Sequence, residues 1–131
     1  MSFRIARALV FLAGIVVLSG IASAGEKALL HCFFFTPIAA ATDADWKAYY
    51  LATDELPGKI EGLNRVWVGN LRERAAVSQQ VKLGREHGAC FELTDEAALK
   101  TYATHPAHDA WLKAYEKVRA AGTTTFDILG R

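Results

Sequence analysis

One short stretch limits the architecture more than any other: "ALLHCFFFT", Ala28 to Thr36. It is too short for a stable helix and is bounded by Pro37, so it reads as a β-strand. Side chains alternate along a strand, which puts His31, Phe33 and Phe35 on one face and Cys32 and Phe34 on the other. Both faces are apolar. Such a strand belongs in a sheet that is covered on both sides.

The rest of the chain supplies cover for only one side. Thr42 and Asp45 form a capping box, and Trp46, Tyr49, Tyr50 and Thr53 follow at helical spacing until Pro57-Gly58 stops the helix near Leu56. "RVWVGNL" (Arg65 to Leu71) is β-branched and aromatic and predicts a second strand. Arg72 to Glu86 is polar, without periodicity, and is expected to be a long mobile connection. "GACFEL" (Gly88 to Leu93) predicts a third strand. Thr94-Asp95-Glu96 then opens a helix whose positive end suits acidic groups, with Ala98, Leu99 and Tyr102 inward.

Pro106 cannot continue that helix but suits the first position of a new one. His108, Trp111, Leu112 and Tyr115 form the apolar stripe of this second helix, and Asp109, Lys113, Glu116 and Lys117 lie opposite. Gly122 is expected to end it, before a last strand in "TTTFDIL", Thr123 to Leu129. The order βαββα(α)β with right-handed crossovers gives an α+β ferredoxin-like sheet with helices on one face. The other face stays bare although it is apolar. In a chain this short the expected cover is a second copy, which makes a homodimer.

Upstream lies Arg4 and Arg7, then the apolar run Ala8 to Ile21, then Ala22-Ser23-Ala24. These are the three parts of a secretory signal peptide. The 14-residue run falls short of the ~20 residues that span a bilayer. Residues 1–24 are therefore expected to be cleaved and 25–131 to form one domain, periplasmic or secreted, with no membrane attachment. Without the leader the chain carries 13 basic and 14 acidic residues. That balance gives no electrostatic footprint for nucleic acid. Cys32 and Cys90 sit in no CxxC or zinc-ligand spacing. Export permits a disulfide. The two cysteines are expected on neighbouring central strands, on the side away from the helices, and as free thiols because neighbouring strands constrain bridge geometry.

Chemistry centres on "TYATHPAHDAWL", Thr101 to Leu112. His87, Ala89, Phe91 and Leu93 share one face of the third strand, as His31 shares a face with Phe33 and Phe35. If those faces look toward the helices, His31, Tyr49, His87, Ala89, Tyr102, His108 and Trp111 surround a small apolar pocket. His108 falls in the first turn of its helix, where the dipole disfavours imidazolium and keeps the ring able to accept a proton. A tyrosine nearby, Tyr102 or Tyr49, could then hydrogen-bond a substrate carbonyl or a developing enolate. The plainer reading is a buried, hydrogen-bonded histidine that joins two helices. His105 is expected to satisfy that junction. A metal site is not expected, since no third ligand stands at a telling spacing. Trp46 and Trp111 also read as core aromatics.

"YATHPAH", preceded by "CFELTDEAALKT" and followed by a helix and a "FDIL" strand, resembles the Dabb family, the stress-responsive α/β-barrel domain. "LPGKIEGLNRVWVGN" and the strand beginning at His31 are similar to that family too, so the resemblance covers about Ala28 to Leu129. It implies a dimeric α/β barrel in which two sheets close on each other with helices outside. One plant member is a cofactor-free polyketide cyclase. The resemblance to it implies His108 as the catalytic histidine and Tyr102 as its partner, with His31, Tyr49 and His87 around the pocket. The functional expectation is a small apolar or aromatic ligand and cofactor-free acid/base chemistry on a carbonyl. The alternatives are ligand binding without turnover and haem binding through a histidine.

Overall fold

A computed structural model describes residues 27–75 and 84–131, with the side chains of 73–75 left aside. The segment read as a signal peptide lies outside the described residues. The order is β1 (Leu29–Phe35), α1 (Asp43–Asp54), a 3-10 turn (Leu56–Gly58), β2 (Leu63–Ala75), β3 (Arg85–Leu93), α2 (Glu96–Thr104), α3 (Pro106–Tyr115) and β4 (Thr124–Leu129). The four strands form one antiparallel sheet in the order β2-β3-β1-β4. This is the α+β ferredoxin-like arrangement, with all three helices on one face.

Local sequence explains the helix ends. The Thr42 hydroxyl accepts from the Asp45 N–H at 3.2 Å, and the Asp45 carboxylate accepts from the Thr42 N–H at 3.0 Å. Asp95 caps α2 by accepting from the Ala98 N–H at 2.7 Å. His105 serves both helices. Its extended backbone ends α2, and its imidazole Nδ1 accepts the Ala107 N–H at 3.0 Å, capping α3 with Pro106 in the first turn. Gly62 turns the chain into β2 at a φ of +82°, and a Cβ there would meet Ala98 Cβ at 2.5 Å. Only glycine suits both demands.

Two expectations about length are corrected. β2 runs to Ala75 and β3 starts at Arg85, so the two ends of the expected connection, 72–75 and 85–86, belong to strands, while its middle, 76–83, lies outside the described residues. α3 stops at Tyr115, well before Gly122, and the chain turns through Glu116–Val118 into an isolated bridge between Pro37 and Arg119.

The core lies between sheet and helices. Phe33 packs edge-on against Phe91, Trp111 and Tyr115, with ring centroids 5.2–5.4 Å apart. Buried Thr53 joins α1 to α3: the Trp111 indole N–H donates to its hydroxyl at 2.9 Å, and the hydroxyl donates to the Tyr49 carbonyl at 2.7 Å. On the opposite face a row of side chains crosses all four strands, Trp67–Cys90–Cys32–Phe126 in register. Trp67, Phe126 and Ile128 are exposed there.

The cysteines do lie on neighbouring central strands, directly opposite each other. They are not free thiols, however; they form a disulfide across the pair. Their Cα atoms are 4.1 Å apart, the close spacing of a pair that does not exchange backbone hydrogen bonds, and this brings the two Cβ atoms within bridging reach. Register, which sequence alone did not disclose, decides the matter.

Candidate active site

His31, Tyr102, His108 and Trp111 line one cavity of about 240 Å³, together with Phe33, Leu112, Tyr115, Arg119, Thr123 and Thr125. That is just below the ~300–1,000 Å³ of sites for drug-sized ligands, so the space suits a small molecule. α2 and α3 supply Tyr102 and His108 from either side of the Pro106 break. Their rings are 4.3 Å apart, and His108 stacks nearly parallel on Trp111 at 5.6 Å. The tilted ring of His31 lies 5.7 Å from that of Tyr102.

Hydrogen bonding sets the state of each group. His108 Nδ1 lies 3.3 Å from the Ala103 carbonyl, an acceptor only, so Nδ1 carries the proton and Nε2 keeps its lone pair. Burial lowers the His108 pKa, and the carbonyl contact opposes that only in part. The ring is neutral near pH 7. Burial raises the Tyr102 pKa, so its hydroxyl stays a proton donor. His31 Nδ1 is 2.6 Å from an Asp127 carboxylate oxygen, which holds a proton on Nδ1 and orients the ring.

Tyr49, His87 and Ala89 share the helix-facing side but do not line this cavity. They lie in the core behind it. His87 pairs with Phe35 and His31 with Phe91, so the two histidines are four strand positions apart, roughly 13 Å. His87 is fully buried, its Nδ1 2.9 Å from Asn70 Oδ1 and its Nε2 3.5 Å from the Tyr50 hydroxyl. Trp46 and Phe35 enclose it at 4.8 and 5.0 Å, and burial pushes its pKa down to about 4. The buried Tyr49 hydroxyl has no hydrogen-bond partner among the described residues. His105 points its Nδ1 at the helix junction and is spent there.

Sequence reasoning missed Asp127, Asn70 and Arg119. "TTTFDIL" does carry one carboxylate inside a strand. That unusual placement was the only signal, and its partner depends on strand register.

The stress responsive A/B barrel domain model, Dabb, matches residues 29–128. The chain belongs to the Dabb family. No curated protein matches it in sequence. Among solved structures, a dimeric ferredoxin-like protein of unknown function from Jannaschia sp. CCS1 is similar at 22% identity and a TM-score of 0.62, over 77% of this chain and 97% of that one. A Dabb family protein with a ferredoxin-like fold from Mesorhizobium loti is 20% identical, with a TM-score of 0.57 over 81% of this chain and 99% of that one. A hydroxynitrile lyase from Passiflora edulis is 10% identical, with a TM-score of 0.64 over 80% and 94%. At such identities the likeness is one of fold.

Proposed function

We propose that this Dabb protein is an exported homodimer that carries out cofactor-free acid/base chemistry on a small carbonyl compound. The observation that carries the reading is the His108–Tyr102 pair: a neutral imidazole with a free Nε2 beside a phenol held protonated, both on one cavity. Nε2 of His108 takes a proton α to the substrate carbonyl. The C–H electron pair moves into an enolate, whose oxygen accepts a hydrogen bond from Tyr102. His31, oriented by Asp127, stands on the facing strand to relay the proton onward. The hydroxynitrile lyase of like fold supports the idea that this scaffold can house an enzyme.

Dimerisation is supported by exposed Trp67 and Phe126 at the two ends of the row Trp67–Cys90–Cys32–Phe126 and by the dimers described for like folds. Export is supported by the leader-like segment 1–24 and by the disulfide, which persists in oxidising compartments. The test is exchange of α-protons for deuterium in a panel of small aryl ketones, followed by NMR. Wild-type protein should catalyse exchange and His108→Gln should not. No exchange across the panel, with a ligand recovered from the native protein by mass spectrometry, would establish a binding protein instead. A visible absorption band in that protein would identify haem.

A further inference from the structure

The cavity has two chemically different ends. His31, Tyr102 and His108 close one; Tyr115, Arg119, Thr123 and Thr125 close the other. His108 and Tyr115 are seven residues apart on α3, about two helical turns or ~10 Å. Among the described residues no carboxylate lines the wall, and Arg119 is its permanent charge.

Arg119 is poorly compensated for a guanidinium in this setting. Its side chain is 26% exposed, and its only carboxylate contact among the described residues is Glu116 at 3.9 Å, itself 64% exposed. Such a pair contributes little. Arg119 Nε is buried without a hydrogen-bond partner among the described residues, a costly state for a charged donor group. The guanidinium lies 4.9 Å over the Tyr115 ring and donates to the Thr123 hydroxyl at 3.4 Å. A second guanidinium, that of buried Arg85, donates to the Thr124 and Thr36 hydroxyls, and no ion pair joins it to a carboxylate among the described residues. Positive potential thus accumulates where β4 begins.

The position of Arg119 is set in advance. Its neighbours hold the chain on both sides, with the Ile38 N–H donating to the Val118 carbonyl at 2.9 Å and the Ala120 N–H to the Thr36 carbonyl at 2.8 Å. The planar donor edge of a fixed arginine matches a carboxylate, and adjacent threonine hydroxyls can donate as well.

We propose that the ligand is an elongated organic anion whose carboxylate binds Arg119, Thr123 and Thr125 while its apolar body and carbonyl reach the His108 end. The carboxylate end stands on its own observations; the orientation of the carbonyl rests on the acid/base reading above. A keto acid with several bonds between its two functional groups fits the length, and a ligand as short as pyruvate does not.

The probe is 5-oxo-5-phenylpentanoate, compared with its primary amide, which has the same shape without the charge. Binding is followed by calorimetry and by NMR on wild-type protein, Arg119→Gln, Arg119→Lys and His108→Gln, each shown to be folded by circular dichroism. The acid should bind wild-type protein at least about tenfold tighter than the amide, as charge-assisted hydrogen bonds require. Arg119→Gln should erase that preference and Arg119→Lys restore part of it, while His108→Gln keeps it. Equal binding of acid and amide, no binding of either at millimolar concentration, or a preference that survives Arg119→Gln overturns the proposal. The two readings fail separately. Arg119-dependent binding without α-exchange in the ketone removes the acid/base chemistry alone, whereas equal exchange in acid and amide removes the anion site alone.

Discussion

His31 on β1 and Asp127 on β4 stand directly opposite each other, Nδ1 2.6 Å from a carboxylate oxygen. The pair is half open to solvent, with side-chain exposures of 17% and 42%. A pair in that setting does little for stability, typically about 0–1 kcal/mol. What it does is fix the imidazole tautomer and orientation at the edge of the cavity.

Asp127→Asn should therefore leave thermal stability within about 1 kcal/mol of wild type while slowing α-exchange by about tenfold or more. An amide keeps the shape but no longer requires the proton on Nδ1. The measurement pairs a melting curve with the exchange rate. A large loss of stability with unchanged exchange would make the pair a structural one.

His87 predicts the acid response of the fold. Its pKa falls from 6.5 to about 4 because burial disfavours the charged ring. The unfolded chain then binds a proton that the folded one refuses, so stability rises with pH across this window. The contribution is complete above pH 6.5, is lost as pH falls toward about 4, and changes no further below that. It amounts to just over about 3 kcal/mol at most. His87→Gln should flatten the stability difference between about pH 7 and pH 4.5 by a comparable amount, read from urea unfolding at each pH.

The disulfide gives a third expectation. Closing a chain separation of 58 residues restricts the unfolded state, so the double variant Cys32→Ala, Cys90→Ala should lose about 2–4 kcal/mol. Intact-mass analysis should show a gain of two hydrogens on reduction of the native protein. Because the bridge lies in the row that includes Trp67 and Phe126, Phe126→Asp should test the same face differently. A carboxylate buried there without a partner is costly, and sedimentation should show monomer where wild type shows dimer.

Alternation and helical spacing carried most of the architecture: the both-sided apolarity of β1, the Thr42–Asp45 box and the Pro106 restart are all local patterns. Register is not local, and nearly everything misread depends on it. The shared face of His31 and His87 was legible; that they sit at opposite ends of the sheet was not. The same holds for the Cys32–Cys90 bridge and the His31–Asp127 pair. Arg119 was obscured differently. It lies beyond α3 in a turn whose course is set by a bridge to Pro37, so no periodicity pointed it at the cavity.

The two histidines that flank Pro106 make the sharpest contrast. His105 spends its imidazole on the first free N–H group of α3, while His108, three residues on, leans over Tyr102 with its own backbone N–H held by the His105 carbonyl at 2.9 Å. One ring serves the fold and the other faces the cavity. His105→Ala should cost about 1 kcal/mol, the usual penalty for a lost helix cap, and should leave exchange per folded molecule unchanged. His105→Asn should recover most of that loss, because asparagine caps by the same kind of acceptor. His108→Gln should do the reverse: a melting temperature near that of wild type and no exchange, since an amide cannot take a proton near neutral pH. Melting curves and exchange rates on the three variants decide the division of labour, and equal effects on both quantities at both positions would show that the motif only joins two helices.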